Sequence, residues 1–178
     1  MKSIKWTDSA KELAYVSVFT ALLIAVQLLL SFVPGVELVT VLFVSYSFSM
    51  GVRRGVAVAT VFSLLRQLVF GFFPTVLVLY LIYFNLLCVI FGLLGRKLPL
   101  KTKHIWIVVL CACICTAMFS MIDNILTPLW HGYSKRVFKI YFYASFSFML
   151  PQIVCTAISV FFLFYPLARI FKSLKTRL

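Results

Sequence analysis

Long apolar runs fill most of this chain, and short clusters of lysine and arginine separate them. Of its 178 residues, 63% are hydrophobic and only 12% are charged. A soluble domain of this size would have to expose much of that apolar surface, because its interior is too small to bury it. The sequence therefore predicts an integral membrane protein.

The apolar runs predict an all-α bundle of six transmembrane helices in one membrane domain, residues 1–178. A spanning helix needs about 20 apolar residues, and fewer where neighbouring helices or a thinner bilayer help it. The second run is short and needs such help. A short amphipathic segment, residues 2–11, is expected to lie at the membrane surface. The predicted spans are 12–33, 37–51, 55–73, 75–95, 104–127 and 141–168.

The basic residues predict the orientation of this bundle. Of the 17, three stand in the N-terminal segment, two between the second and third spans, four between the fourth and fifth, and four in the C-terminal tail. Cytoplasmic loops carry an excess of Lys and Arg, so both termini are expected in the cytoplasm. The net charge of +13 does not predict a nucleic-acid partner, because it forms no basic tail or helix face.

Polar side chains gather at the opposite, outer side of the predicted bundle. A charged residue at the centre of a span costs about 2.5–3.5 kcal/mol, so it usually marks a site. Glu37 and Arg66 are predicted to pair across the outer mouth, and residues 127–140 to form an external loop that acts as a lid. The predicted substrate-binding residues are Glu37, Arg66, Gln67, Tyr80, Tyr83, Asn85, Asp123, Asn124, Trp130 and His131.

Several of these residues have structural explanations that the sequence leaves open. Glu37 follows a turn signal and would suit a helix N-terminus. Arg66 would reach the outer lipid headgroups with its long side chain. Tyr80 and Tyr83 fit an aromatic belt at the interface, and Asp123 would cap the outer end of a helix.

The cysteines do not predict a disulfide framework or a metal site. All five lie inside apolar runs, and an odd number at membrane depth is no basis for paired bridges. Cys111 and Cys115 share a helix face while Cys113 projects elsewhere, so the three thiols cannot converge on a metal. A small membrane thiol oxidoreductase centred on Cys111 and Cys115 is the alternative function. No nucleotide loop, zinc-protease motif or nucleophile elbow is present in the sequence.

The first span carries small residues at a four-residue spacing. Ser17, Ala21 and Ala25 share one helix face and form a groove that another helix can approach closely. Such a groove serves either packing inside the bundle or docking of a partner subunit.

Five short segments, in this order along the chain, carry a resemblance to a known family. They are the Ala21-x-x-x-Ala25 pattern, VPGVELVT at 33–40, GVRRG at 51–55, FGFFP at 70–74 and GLLGRK at 92–97. Through them the chain resembles the substrate-binding S components of energy-coupling factor (ECF) vitamin transporters. The resemblance covers most of residues 10–97, whereas the C-terminal half matches only in hydropathy and length.

The resemblance implies a binding protein and not a catalyst. Ala21 and Ala25 would dock on the coupling helices of a transmembrane subunit that rests on two ATPases, which use the ATP. The chain would bind a water-soluble vitamin near its outer side and hold no cofactor of its own. The entry to the second span most resembles the cobalamin-specific type, so cobalamin is the first candidate ligand. Riboflavin, pantothenate and pyridoxine are the alternatives.

Overall fold

The computed structural model describes residues 6–32, 38–100 and 102–176, with the backbone alone for residues 6–9. Within these ranges 91% of residues are helical and no strand occurs, which confirms the all-α prediction. The helices are α1 Trp6–Leu30, α2 Val39–Met50, α3 Val52–Phe70, α4 Pro74–Lys97, a 3₁₀ turn Thr102–His104, α5 Ile105–Trp130 and α6 Lys135–Thr176.

Four helical segments in the described ranges are long and apolar enough to cross a membrane, namely Ala10–Leu30, Pro74–Lys97, Thr102–Trp130 and Lys135–Thr176. The other two predicted spans are different. The α2 helix has 12 residues and is about 18 Å long, well short of the roughly 30 Å hydrocarbon core. The α3 helix carries Arg53, Arg54 and Arg66 among its 19 residues. The fold is therefore that of a helical membrane protein, and the number of complete spans stays a prediction.

The prediction of an external loop at residues 127–140 was wrong. The α5 helix continues to Trp130 and α6 begins at Lys135, so only residues 131–134 connect them. Gly132 adopts a positive φ of 61°, and the amide of Tyr133 donates to the carbonyl of Pro128 at 3.0 Å, which closes the turn. Residues 135–140 contain no glycine or proline, so nothing there stops the helix from starting early.

The α1 and α6 helices extend at least six residues beyond one end of their predicted spans. The α1 helix begins at Trp6, so part of the predicted surface segment 2–11 is continuous with the first span. The α6 helix has 42 residues and a length of about 63 Å. It continues through Pro151 and Pro166.

The short α2 helix is the centre of the bundle. Every residue in it except Ser49 is buried, and it packs against α3, α4 and α6. Two glycines on α4 allow close packing here: a Cβ on Gly95 would meet the carbonyl oxygen of Phe48 on α2, and one on Gly92 would lie 2.6 Å from the backbone nitrogen of Val52 at the start of α3. A side chain at Gly95 would push α4 away from α2, and one at Gly92 would push it away from the start of α3.

The basic clusters meet at one end of the bundle, which we call the basic end. There Arg54 forms a 2.9 Å ion pair with Glu12 of α1, and the Nζ of Lys175 donates to the carbonyl of Ser49 at 2.9 Å. The last turn of α4 lies beside them. The predicted site residues of α3, α4 and α5 lie toward the opposite end.

Candidate functional site

A guanidinium lying on an aromatic ring forms the first part of the candidate site. The Arg66 guanidinium carbon is 4.6 Å from the centroid of the Tyr80 ring and 4.9 Å from that of Phe70. Cation–π contacts of this kind contribute about 0.5–2 kcal/mol, the larger values where water is excluded. The Nε and Nη1 atoms of Arg66 are buried without a hydrogen-bond acceptor among the described residues. Arg66 therefore keeps donors that suit an anionic or carbonyl group of a ligand.

An amide from the first helix completes this group. Gln27 Nε2 donates a hydrogen bond to the Tyr80 hydroxyl at 3.2 Å, which joins α1 to α4. The Oε1 atom of Gln27 is buried and has no donor within the described chain. Sequence reasoning missed Gln27, although an isolated amide within an apolar run is itself a signal of a polar site.

Aromatic rings connect Tyr80 to the fifth helix. The ring of Phe119 on α5 is 6.0 Å from Tyr80 and 4.6 Å from Tyr83, measured between centroids. On the other side Tyr80 packs edge-on to Phe84 at 5.1 Å, and Phe84 contacts the rings of the core. Tyr80 and Tyr83 thus share one aromatic cluster, and they lie inside the bundle and not in an outer belt.

Beyond Phe119, a cavity of about 340 Å³ opens between α5 and α6. It is lined by aromatic and apolar side chains together with several hydrogen-bonding groups. This combination is typical of small-molecule sites, which are mostly apolar with a few placed polar groups. The lining residues are Phe119, Ser120, Asp123, Asn124, Tyr141, Ala144, Ser145, Phe148, Met149 and Gln152.

Asp123 is the only acidic side chain of that cavity lining. Its Oδ1 accepts a hydrogen bond from Thr127 Oγ1 at 2.6 Å, and its Oδ2 accepts one from the Tyr141 hydroxyl at 3.4 Å. The neighbouring Asn124 is buried, and its Nδ2 has no partner in the described part of the chain. Ser120 Oγ donates to Gln152 Oε1 at 3.3 Å across the helix pair. The cavity thus offers a carboxylate, an amide donor and amphipathic rings.

Two predicted site residues lie elsewhere. Gln67 is buried and its Oε1 accepts a hydrogen bond from the backbone N–H of Phe73 at 3.0 Å, which fixes the connection between α3 and α4. Asn85 faces α3, where its Oδ1 accepts from Thr60 at 3.3 Å and its Nδ2 donates to the carbonyl of Leu81 at 2.7 Å. Neither contact joins these amides to the cavity.

The predicted lid residues do not converge on the cavity either. Trp130 is 55% exposed at the end of α5. His131 is exposed, and its Nδ1 lies 2.9 Å from the carbonyl oxygen of Thr127, at the C-terminus of its own helix. Glu37 lies outside the described residues, so its predicted pairing with Arg66 is not addressed by the structure.

The small-residue face of α1 is uncovered. Ser17, Ala21 and Ala25 are all exposed, whereas Phe19 and Leu23 on the other side of the helix are buried in the core. Ala10 and Ala14 are also exposed and extend the same face toward the start of α1. The described helices therefore leave this face unburied, and docking of a partner subunit on it stays a prediction.

The cysteines form no cluster with other ligands. Cys88 and Cys115 are buried, and Cys111, Cys113 and Cys155 are partly buried. No group of three or more His, Cys, Asp or Glu side chains able to hold a metal occurs among the described residues.

Several residues of the site were not predicted from the sequence. They are aromatic or hydroxyl side chains within apolar runs, where their spacing does not distinguish them from packing residues. Those that line the cavity are Phe119, Tyr141, Ser145 and Phe148.

Comparison of the chain with models of protein families, with characterised proteins and with solved structures gave no match.

Proposed function

We propose that this protein is the substrate-specificity (S) component of an ECF-type importer in a prokaryotic plasma membrane. It has both termini in the cytoplasm and six spans, of which the second is the short central α2. It binds a water-soluble vitamin from outside and passes it on through a transmembrane coupling subunit and two ATPases. The chain itself catalyses no reaction, and its partners hydrolyse the ATP.

The exposed small-residue face of α1 is the observation that carries this proposal. Lipid gives no hydrophobic drive for helix association, so close packing of small residues is what lets membrane helices bind one another. Ser17, Ala21 and Ala25 do not serve that purpose within the chain, because all three are exposed. A face of this composition supports docking of helices from another subunit, as the resemblance implies.

The groups between Arg66 and Asp123 support the binding role. Arg66 presents donors beside Tyr80 that have no acceptor among the described residues, and Asp123 lines the cavity that begins at Phe119. A ligand with an aromatic or conjugated ring and polar substituents would find aromatic rings to stack on, hydrogen-bond donors and hydrogen-bond acceptors.

The size of the cavity bears on the choice of vitamin. Its volume of about 340 Å³ is at the small end of the roughly 300–1,000 Å³ found for ligand pockets. Pyridoxine and pantothenate fit this volume best, because they are smaller molecules than riboflavin. Cobalamin, the first candidate from the resemblance, would have to extend well beyond it.

The test is affinity purification of the tagged chain from its native membrane, followed by identification of associated proteins and small molecules by mass spectrometry. We expect a second membrane subunit, ATPases and a retained vitamin. Cobalamin, riboflavin, pantothenate and pyridoxine are then tested by equilibrium binding to the purified chain. Absence of both the partner subunits and a retained vitamin would contradict the proposal. Loss of the partners alone in a variant with a blocked α1 face would support it.

A further inference from the structure

A second cavity lies at the basic end, far from the candidate vitamin site. It has a volume of about 630 Å³ and is enclosed by the end of α2, the last turn of α4 with the chain that follows it, and the last turns of α6. Arg96, Lys97, Lys172 and Lys175 line it, and no acidic residue does. The cavity therefore concentrates positive charge in one place.

Within the described part of the chain, no carboxylate forms an ion pair with these four cations. The one ion pair within the described ranges joins Arg54 to Glu12, outside this cavity. Three helices, α2, α4 and α6, end here, and their C-terminal dipoles favour nearby cations. Among the described basic residues of the cavity, only Lys175 donates to a carbonyl at one of these helix ends, that of Ser49, at 2.9 Å. The dipoles explain why basic residues are tolerated here, but they leave most of the cationic donors unused.

The walls of the cavity are held in place. Ser49 Oγ donates to the carbonyl of Ala168 at 3.1 Å, so α2 and α6 are joined at the cavity edge. On the α4 side, Gly95 lets that helix contact the backbone of Phe48. The apolar side chains of Phe48, Leu98 and Leu100 also line the cavity, beside the cations. An occupant therefore meets charge on one part of the wall and hydrocarbon on another.

We propose that this cavity binds the phosphate headgroup of an anionic phospholipid. Basic pockets between the ends of transmembrane helices recognise such headgroups, and the apolar part of the wall suits the adjoining glycerol and first acyl carbons. A free phosphate would match the charge but would leave the apolar part of the wall without a contact. The site is independent of the transport role, because it uses none of the residues of the vitamin site or of the α1 face.

The test uses the purified full-length chain in bilayer nanodiscs that contain phosphatidylglycerol and phosphatidylcholine in equal amounts. Lipids that stay bound after release from the nanodisc are counted by native mass spectrometry. We expect phosphatidylglycerol to be retained in preference. The double substitution Arg96→Gln with Lys172→Gln should lower the affinity for phosphatidylglycerol about 25-fold, since each basic side chain contributes a factor of about five. The matched control, Lys135→Gln with Lys139→Gln, removes the same charge from the other end of the bundle and should retain the lipid.

A thermal unfolding series in neutral detergent gives a second measurement. Phosphatidylglycerol should raise the unfolding temperature more than phosphatidylcholine or inorganic phosphate. Should the double variant fail to fold, Arg96→Gln alone is measured, with an expected loss of about fivefold in affinity. Equal retention of the two lipids by the unmodified chain would overturn the proposal. So would equal stabilisation by inorganic phosphate, or the same loss of lipid in the control variant.

Discussion

Tyr141 of α6 donates a hydrogen bond of 3.4 Å to the carboxylate of Asp123 on α5, on the wall of the cavity between these helices. The other carboxylate oxygen is held by Thr127 at 2.6 Å. A carboxylate at membrane depth is costly, and these two hydroxyls offset only part of the cost. The arrangement leaves the negative charge facing the cavity.

Asp123→Asn should therefore weaken vitamin binding more than it weakens the fold. The asparagine keeps an acceptor for Thr127 but removes the charge, so we expect a loss of about tenfold or more in affinity, as for a hydrogen bond to a charged group. Tyr141→Phe is the companion variant and should lower the free energy of unfolding by about 0.5–1 kcal/mol. Equilibrium binding and thermal unfolding of both variants check this. Unchanged affinity in Asp123→Asn would remove Asp123 from the site.

Arg66→Gln should also reduce vitamin affinity, by about 10- to 100-fold, because the buried guanidinium donors are lost. Arg66→Lys should recover only part of the binding, since an ammonium lacks the planar fork that both stacks on Tyr80 and donates in two directions. Arg136→Gln, an exposed arginine near the start of α6, is the control and should bind normally. Full binding by Arg66→Gln would show that this side chain has another purpose.

Ala21→Trp and Ala25→Trp should abolish vitamin uptake while leaving vitamin binding intact. A large ring on the exposed face of α1 prevents close approach of a partner helix but touches no core residue of this chain. Leu22→Trp is the control, because Leu22 is 46% exposed and lies about 100° round the helix from Ala21. Uptake by cells and binding by the purified chain separate the two effects. Loss of vitamin binding in Ala21→Trp or Ala25→Trp would point to a defect in folding.

Replacement of all five cysteines should leave binding and uptake unchanged within about twofold, since buried free thiols act as small apolar groups. Alanine is used at the buried Cys88 and Cys115, and serine at the partly buried Cys111, Cys113 and Cys155. Uptake assays of this variant, with unfolding temperature as a check on the fold, decide the matter. Complete loss of activity in a folded variant would favour the thiol oxidoreductase.

Gly95→Ala should destabilise the bundle even though alanine is the better helix former. The gain in helix propensity is about 1 kcal/mol, whereas the added methyl would overlap the carbonyl oxygen of Phe48 and cost about 1–3 kcal/mol or more. Leu93→Ala, on an exposed face of α4, is the control. A rise in unfolding temperature for Gly95→Ala would mean that α2 and α4 pack less closely than described.

Charge and hydropathy were enough to predict the helical class and which residues would be unusual. Arg66 and Asp123 stood out because ionised side chains are expensive among apolar helices. The sequence did not indicate their surroundings. Gln27 and Phe119 contact Tyr80, and Tyr141 contacts Asp123, only because different helices pack together. Spacing along one helix carries no such information.

The errors of the sequence analysis came from local signals. Residues 127–140 were predicted to form a loop because they lie between two apolar runs. The end of an apolar run does not end a helix, however; the turn at Gly132 does. The burial of α2 was not foreseen either. A short apolar run does not indicate whether it lies at the edge of a bundle or, as here, at its centre.

The length of α6 has a consequence for movement. At about 63 Å it is twice as long as the hydrocarbon core of a bilayer is thick, so a helix of this length that crosses a membrane extends beyond the core. A change of ten degrees in its inclination carries one end sideways by roughly 11 Å relative to the other. The helix is joined to α2 at Ser49. A small tilt of the bundle would therefore displace the ends of α6 by a large distance, and a subunit bound there would be displaced with them.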